Sequence, residues 1–128
     1  MVPECVFCTL DPGHCISSNR SAVAVADRYP VTPGHSLIIP RRHIASLFET
    51  TDEERSEIWL LLEEVRELLT SRHQPAGFNI GVNEGSAAGQ TLTHLHIHLI
   101  PRYHGDCPDP RGGVRWIFPD KAAYWDSE

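Results

Sequence analysis

The run His94-Leu95-His96-Ile97-His98-Leu99-Ile100 constrains this chain more than any other stretch. Apolar residues at every second position give the period of a β-strand, in which successive side chains point to opposite faces. Read as a strand, the run lays Leu95, Ile97 and Leu99 against a core and leaves His94, His96 and His98 in a row on the other face, about 7 Å apart at a rise of roughly 3.3 Å per residue. Imidazoles titrate near neutral pH and serve as nucleophiles, hydrogen-bond donors or metal ligands. A wet strand face that carries histidines by chance is the bland reading, and a strict triplet speaks against it. The three rings span roughly 13 Å by strand rise, which disfavours a zinc hydrolase with all three on one catalytic ion.

The rest of the chain supplies a scaffold. Ala22-Val23-Ala24-Val25-Ala26 and Ser36-Leu37-Ile38-Ile39-Pro40 read as two strands of an antiparallel pair, joined through Pro33-Gly34-His35. Asp27 ends the first strand, where its carboxylate meets a ligand or starts a turn before Tyr29-Pro30. Arg41-Arg42-His43 ends the second, and two arginines at a strand exit are by default solvated. Thr51 with Glu54 three residues on is a capping box, and Ile58, Leu61, Leu62, Val65, Leu68 and Leu69 form one apolar stripe on the helix that follows. Arg72, His73, Pro75 and Gly77 mark its end. Phe78 to Val82 alternates as a third strand. The loop Asn83 to Thr91 is rich in small residues, and its glycines permit φ > 0 conformations that aim backbone N–H groups into a phosphate-sized concavity.

Both ends read as irregular. Met1 to Asn19 carries Cys5, Cys8 and His14, and Asp11-Pro12-Gly13 is a turn signal. A lone C-x-x-C is half of a metal site, or else a pair of small buried hydrophobes. Cys15 and Cys107 have no spacing partner and read as ordinary thiols. Trp116, Phe118, Tyr124 and Trp125 form an aromatic tail whose default is to cover a core, with a subunit interface or a base as alternatives.

Length and charge set limits on these readings. A chain of 128 residues fits one domain, 1–128, with a core of its own. A formal net charge of −6 argues against nucleic-acid binding by bulk electrostatics, so an anionic ligand must be captured locally. No apolar run approaches a membrane span, and the N-terminus lacks a charged and then apolar leader, so the expectation is a cytoplasmic protein without a membrane partner.

For a phosphate ester, a neutral ring at His96 can attack phosphorus in line and form a nucleotidyl-histidine that water resolves. His98 on the same face would donate to an oxygen, and Asn83, Gln90 and the loop amides would steady the phosphate.

The histidine run, with Gly89-Gln90-Thr91 before it and Pro101-Arg102 after it, resembles the signature of the histidine triad (HIT) superfamily of nucleotide hydrolases and transferases. The block Asp27 to His35, followed by Leu37 to His43, is similar to a second part of that pattern. The resemblance runs from about Cys5 to Arg102. It implies an α+β, HIT-like fold: a central antiparallel sheet of about five strands, one long helix and a C-terminal tail, assembled as a homodimer. It implies catalysis by His96 as nucleophile, with His98 and His35 supporting it. Substrate contacts are implied at Asp27 (ribose), Asn83, Gly89, Gln90, Thr91, Leu92 and His98. In similar members a structural Zn2+ is held by the residues matching Cys5, Cys8, His43 and His94, and no organic cofactor is expected. Ala88 to Thr91 and Ile100 to Arg102 look closest to the fragile-histidine-triad branch of diadenosine polyphosphate hydrolases, with a bacterial-type C-x-x-C. The expected activity is therefore release of a nucleoside monophosphate, AMP, from a dinucleoside polyphosphate. Asn83-Glu84-Gly85-Ser86 looks like the purine nucleoside phosphoramidase branch instead, and a non-catalytic nucleotide-binding regulator is the third reading.

Overall fold

In the computed structural model residues 4–126 are described, so Met1 to Pro3 and the last two positions of the expected 1–128 domain lie outside the described residues. Five strands, β1 (Cys15–Ser18), β2 (Ala22–Ala26), β3 (Ser36–Pro40), β4 (Gly77–Gly81) and β5 (Ile97–Arg102), form one sheet in the order β1-β2-β3-β5-β4. Every neighbouring pair is antiparallel. A long helix, α1 (Asp52–His73), covers one face, and a one-turn helix, α2 (Pro119–Ala122), lies in the tail. The fold is α+β, as the resemblance implies. Among the described residues no helix is long and apolar enough to cross a membrane.

The expected capping box forms in both directions: Glu54 N–H donates to Thr51 Oγ1 at 3.0 Å, and Thr51 N–H donates to Glu54 Oε1 at 2.9 Å. Two orphan amides of the first turn are thereby satisfied. Gln74, in the left-handed region at φ 50°, ends the helix. Ile58, Leu61, Leu62, Val65 and Leu69 are buried against Ala22, Ala24, Ile38, Leu95, Ile97 and Leu99. Each such side chain contributes roughly 1.5–3 kcal/mol when fully removed from water. On the other face of the sheet a smaller group, Val25, Leu37 and Ile39, is covered by Phe7, Leu10 and Val23.

Five expectations are corrected. Strand β1, read from sequence as irregular, exists because the Asn19 side chain accepts from the N–H groups of Ser21 and Ala22 and closes a tight turn into β2. Only Ile16 in it is apolar, too little for a period to show. The histidine strand starts at Ile97 rather than His94, because Leu95 N–H is drawn to the Ile44 carbonyl at 2.7 Å, outside the ladder. The two arginines are not merely solvated: Arg41 donates twice to the Asn19 carbonyl, and Arg42 holds Glu54 at 2.8 Å. The tail aromatics do not form a second core. Phe118 and Tyr124 are exposed, Trp116 is 40% exposed, and α2 buries only Ala122. Strand β4 sits one residue earlier than expected.

Gly34 fixes the turn before β3. Its φ is +90°, and a Cβ there would meet His73 at 3.0 Å and Pro101 at 3.1 Å. Only glycine suits such a site. Thr32 Oγ1 donates to the Pro101 carbonyl at 2.6 Å, and Tyr103 OH donates to that of Pro33 at 2.6 Å, so this turn is pinned against the end of β5.

Candidate active site and metal centre

The triad histidines differ in burial. His94 is fully buried under Cys5, Cys8, Phe7 and His43, while His96 and His98 stay half-buried on the face away from α1. Leu95, Ile97 and Leu99 join the core as expected.

Backbone groups set the tautomer of each ring. His94 Nε2 lies 2.8 Å from the Pro40 carbonyl, which can only accept. The proton is on Nε2, and Nδ1 presents a lone pair to Cys5 Sγ at 3.4 Å and Cys8 Sγ at 3.5 Å. His43 Nδ1 lies 3.2 Å from Cys8 Sγ. Ligand atoms of Cys5, Cys8, His43 and His94 all fall within 4.8 Å of one another. In a tetrahedron with bonds of about 2.05 Å to nitrogen and 2.3 Å to sulfur, an N···S edge is about 3.6 Å, close to these separations. The donor set fits a closed Cys2His2 ion site, and the Pro40 carbonyl supplies the outer hydrogen bond that fixes a ligating histidine. Burial holds His94 below the usual imidazole range, with His43 and His96 adding to that and the Pro40 contact opposing it.

At His96 the polarity is reversed. Its Nδ1 lies 2.9 Å from the carbonyl of His94, so Nδ1 carries the proton and Nε2 is bare. Phe7, from the Cys5-to-Cys8 turn, packs on this ring at 5.1 Å between centroids. The His98 ring is 5.3 Å away.

A third set of contacts continues the pattern. Val31 N–H donates to His35 Nδ1 at 3.1 Å, so the proton of His35 is on Nε2, which faces His98 Nδ1 at 2.9 Å. That nitrogen must accept, which leaves the His98 proton on Nε2. Burial keeps both rings below the usual imidazole range; His96 and His35 reinforce this at His98, and Asp27 opposes it at both. Asp27 Oδ2 lies 3.3 Å from His35 Nε2 and 3.9 Å from His98 Nδ1, while Oδ1 accepts from Tyr29 N–H at 2.8 Å. The two sequence readings of Asp27 thus coexist: it starts a turn and it faces the site.

The loop before the triad has the expected positive φ at Gly85 and Gly89. Much of its hydrogen bonding closes on itself. Gln90 Oε1 accepts from Gly85 N–H, and Gln90 Nε2 donates to the carbonyls of Ala45 and Leu92, each at 2.9 Å. Gln90 therefore staples the loop, and both of its amide protons are committed. The N–H groups of Ala88, Gly89 and Gln90 also donate within the loop. Gly89, Thr91 and Leu92 lie on its exposed side. Asn83 lines a cavity of about 360 Å³ that opens on His35 and His98. Sequence reasoning missed Phe7, Val31 N–H and the tail residues Gly113 and Val114, which line that cavity from beyond the motif. No residue-type pattern carries the first two, since one is a ring contact made across the fold and the other is a backbone amide.

Known proteins place this geometry. The HIT domain family model matches residues 10–105. A 16.1 kDa HIT-like protein of Mycoplasma pneumoniae is 40% identical over 104 residues, covering 78% of this chain and 72% of its own. The AP-4-A phosphorylase of Mycobacterium tuberculosis is 34% identical over 97 residues; the match covers 75% of this chain and only half of that enzyme. Among solved structures, a Zn-bound histidine triad family protein from Mycobacterium smegmatis superposes with a TM-score of 0.74 at 30% identity, covering 84% of this chain and 85% of the other. With three quarters of its length inside the family model and a sheet, helix and histidine cluster to match, the chain belongs to the HIT family.

Proposed function

We propose that this protein is a nucleotide hydrolase that releases a nucleoside monophosphate, AMP, from a dinucleoside polyphosphate through a covalent nucleotidyl-His96. The observation that carries this reading is the His94 carbonyl on His96 Nδ1, which leaves a bare Nε2 on a ring whose centroid lies 5.3 Å from that of His98. The lone pair of His96 Nε2 attacks the α-phosphorus, a P–N bond forms, and the P–O bond to the nucleoside polyphosphate breaks. His98 Nε2–H hydrogen-bonds the departing oxygen. Water then attacks the same phosphorus and releases its proton to solvent, the P–N bond breaks, and its electron pair returns to His96 Nε2. Asn83 and the backbone at Thr91 and Leu92 would hold the phosphate, Gly89 and Gln90 would keep that loop in shape, and the ribose hydroxyls would share the Asp27 carboxylate.

The relay favours an anhydride over a phosphoramidate. His98 receives its hydrogen bond from a neutral His35, whose other nitrogen is held by an amide that cannot give up its proton. Full transfer from His98 would leave an imidazolate. A polyphosphate departs as a stable anion and needs only the hydrogen bond, whereas an amine needs the proton itself.

Cys5, Cys8, His43 and His94 would hold a structural Zn2+ that ties the N-terminal turn, and with it Phe7, to the sheet. A reducing cytoplasm would keep both thiols available. The reading includes one HIT domain per chain and a homodimer, the latter supported by the position of β4 at the sheet edge. Light scattering after gel filtration tests the dimer.

The decisive experiment mixes enzyme with diadenosine tetraphosphate labelled in the adenylyl group and quenches it in base. An acid-labile label on wild type, absent from His96→Ala, supports the mechanism. Full turnover by His96→Ala removes it.

A further inference from the structure

Beyond His98 the open face of the sheet is not bare. Residues 96, 98, 100 and 102 alternate onto one face of the strand, so Ile100 and Arg102 continue the line that starts at His96 and His98. Three cavities follow that line. The first, about 360 Å³, opens on His98 and is walled by Gly113 and Val114. The second, about 250 Å³, shares Val31, Asn79 and Ile100 with the first and reaches Arg102. The third, about 520 Å³, shares Gly113 with the first and Arg102 and Cys107 with the second, and ends on Trp116. His96 lines none of them.

The wall is supplied by residues outside the span that the HIT model matches. It is seated closely: Gly113 has φ +43°, and a Cβ on it would stand 3.1 Å from Asn79 Nδ2 on β4. Trp116 is anchored by its own Nε1–H, which donates to the Arg111 carbonyl at 2.8 Å, yet stays 40% exposed. Val114 is 73% exposed and lines the cavity that opens on His35 and His98. Ile100, Val114, Pro108, Pro110 and Trp116 give the trough its apolar wall, and its polar lining includes Asn79, Asn83, Arg102 and two carboxylates that are each paired, Asp106 with Arg102 at 2.8 Å and Asp109 with Arg111 at 3.0 Å; Asn79 Oδ1 accepts from Arg102 at 2.6 Å. The cavity that ends on Trp116 is by itself of small-molecule size, and the two smaller ones connect it to His98 through shared lining residues.

We propose that the C-terminal segment from Pro108 to Trp116 builds the subsite for the leaving half of the substrate, a second nucleoside on its polyphosphate. This deepens the nucleotidyl-transfer reading and rests on it. In-line displacement puts the leaving group on the side of phosphorus away from His96, which is where the trough begins. Val114 forms the near wall and Trp116 the far surface, on which a base would stack.

The test uses the full chain and two adenylyl donors, diadenosine tetraphosphate and adenosine 5′-phosphorofluoridate. They share the transferred group and differ in the leaving group. Val114→Trp, which fills the trough, is expected to lower kcat/KM for the dinucleotide at least tenfold and leave the fluoridate rate within twofold. Val114→Ala is the second variant, needed if the larger side chain disturbs folding; it is expected to raise KM for the dinucleotide severalfold, with kcat and the fluoridate reaction unchanged. Equal losses on both donors, or no loss on either, overturn the subsite. A wild-type protein active on the fluoridate but not on the dinucleotide also overturns it and leaves the His96 chemistry standing. Inactivity on both donors removes that chemistry, and the subsite with it.

Discussion

Two clusters built around histidine pairs flank His96, one completed by two cysteines and the other by an aspartate, and their protons are arranged in opposite senses. Cys5, Cys8, His43 and His94 converge within 4.8 Å, and so do Asp27, His35 and His98. By composition either could hold an ion. In the first cluster the Pro40 carbonyl takes the Nε2 proton of His94 and leaves a lone pair facing the thiols. In the second the Val31 amide occupies His35 Nδ1 and forces the proton onto Nε2, the atom an ion would need. A metal there would require the His35 proton to point at another N–H. The difference lies in two backbone groups, one acceptor and one donor: one makes a ligand set and the other a hydrogen-bond relay.

His96 stands between the clusters and takes its polarity from the carbonyl of His94, so replacing it breaks the comparison most severely. His96→Ala is expected to lower kcat on the order of 10⁴-fold or more while nucleotide affinity and metal content hold, read by single-turnover kinetics, equilibrium binding and metal analysis. Loss of metal in this variant would mean that His96 is a ligand after all. The next largest effect tests the first cluster. Cys5→Ala is expected to take zinc from about one equivalent to none and to cost at least about 3 kcal/mol in denaturant unfolding. This stays below the roughly 10 kcal/mol of a fully zinc-dependent fold, because α1 and the sheet bury a core of their own. One equivalent of zinc surviving Cys5→Ala would end the assignment.

The sequence made the fold readable wherever a period or a cap was at work. Strands β2 and β3, the Thr51–Glu54 box and the stripe from Ile58 to Leu69 all carry their signal in residue type. The Cys5, Cys8, His43 and His94 set was available only through resemblance, since 86 residues separate Cys8 from His94 and no spacing joins them. Strict alternation served for Leu95, Ile97 and Leu99, which join the core, but it carries no sign that the ladder ends before His94, where Leu95 N–H donates to Ile44, or that Cys5, Cys8 and Phe7 cover the His94 ring. Gln90 shows the same limit. Its type suits a phosphate ligand, and its neighbours made it a staple. The tail had no period to read, and of its exposed aromatics Trp116 lines the trough.

The relay is sharpened by His35→Ala, expected to lower kcat about 10²-fold, the scale of one lost general acid–base partner, with zinc content unchanged. An unaltered kcat would reduce His35 to packing. The same variant should change the acid limb of stability. Burial holds His35 and His98 below the usual imidazole value near 6.5, so the unfolded chain takes up protons first as pH falls. Stability supported by the neutral rings is complete above that value and declines below it. Removing His35 should flatten this decline.

The smallest effect concerns what holds the metal cluster to the helix once the ion is set aside. Arg42, next to His43, donates to both carboxylate oxygens of Glu54, and this contact, ahead of the Thr51 N–H and hydroxyl, draws the Glu54 carboxyl down to about 2 against the opposing pull of burial. A depressed carboxyl stabilises the fold above its unfolded value, near 4.3, and loses that contribution as pH falls toward 2. Glu54→Gln can keep both bonds of the capping box, since an amide oxygen also accepts from the Thr51 N–H, and loses the charge, so it is expected to cost about 1 kcal/mol at pH 7 and almost nothing at pH 2. Thermal melts of both chains across that window measure the convergence, and equal costs at both pH values would mean that the cap, rather than Arg42, carries the contribution. A cost this small beside that of Cys5→Ala would assign the anchoring of the N-terminal turn to the ion and leave Arg42 as a local brace between β3 and α1.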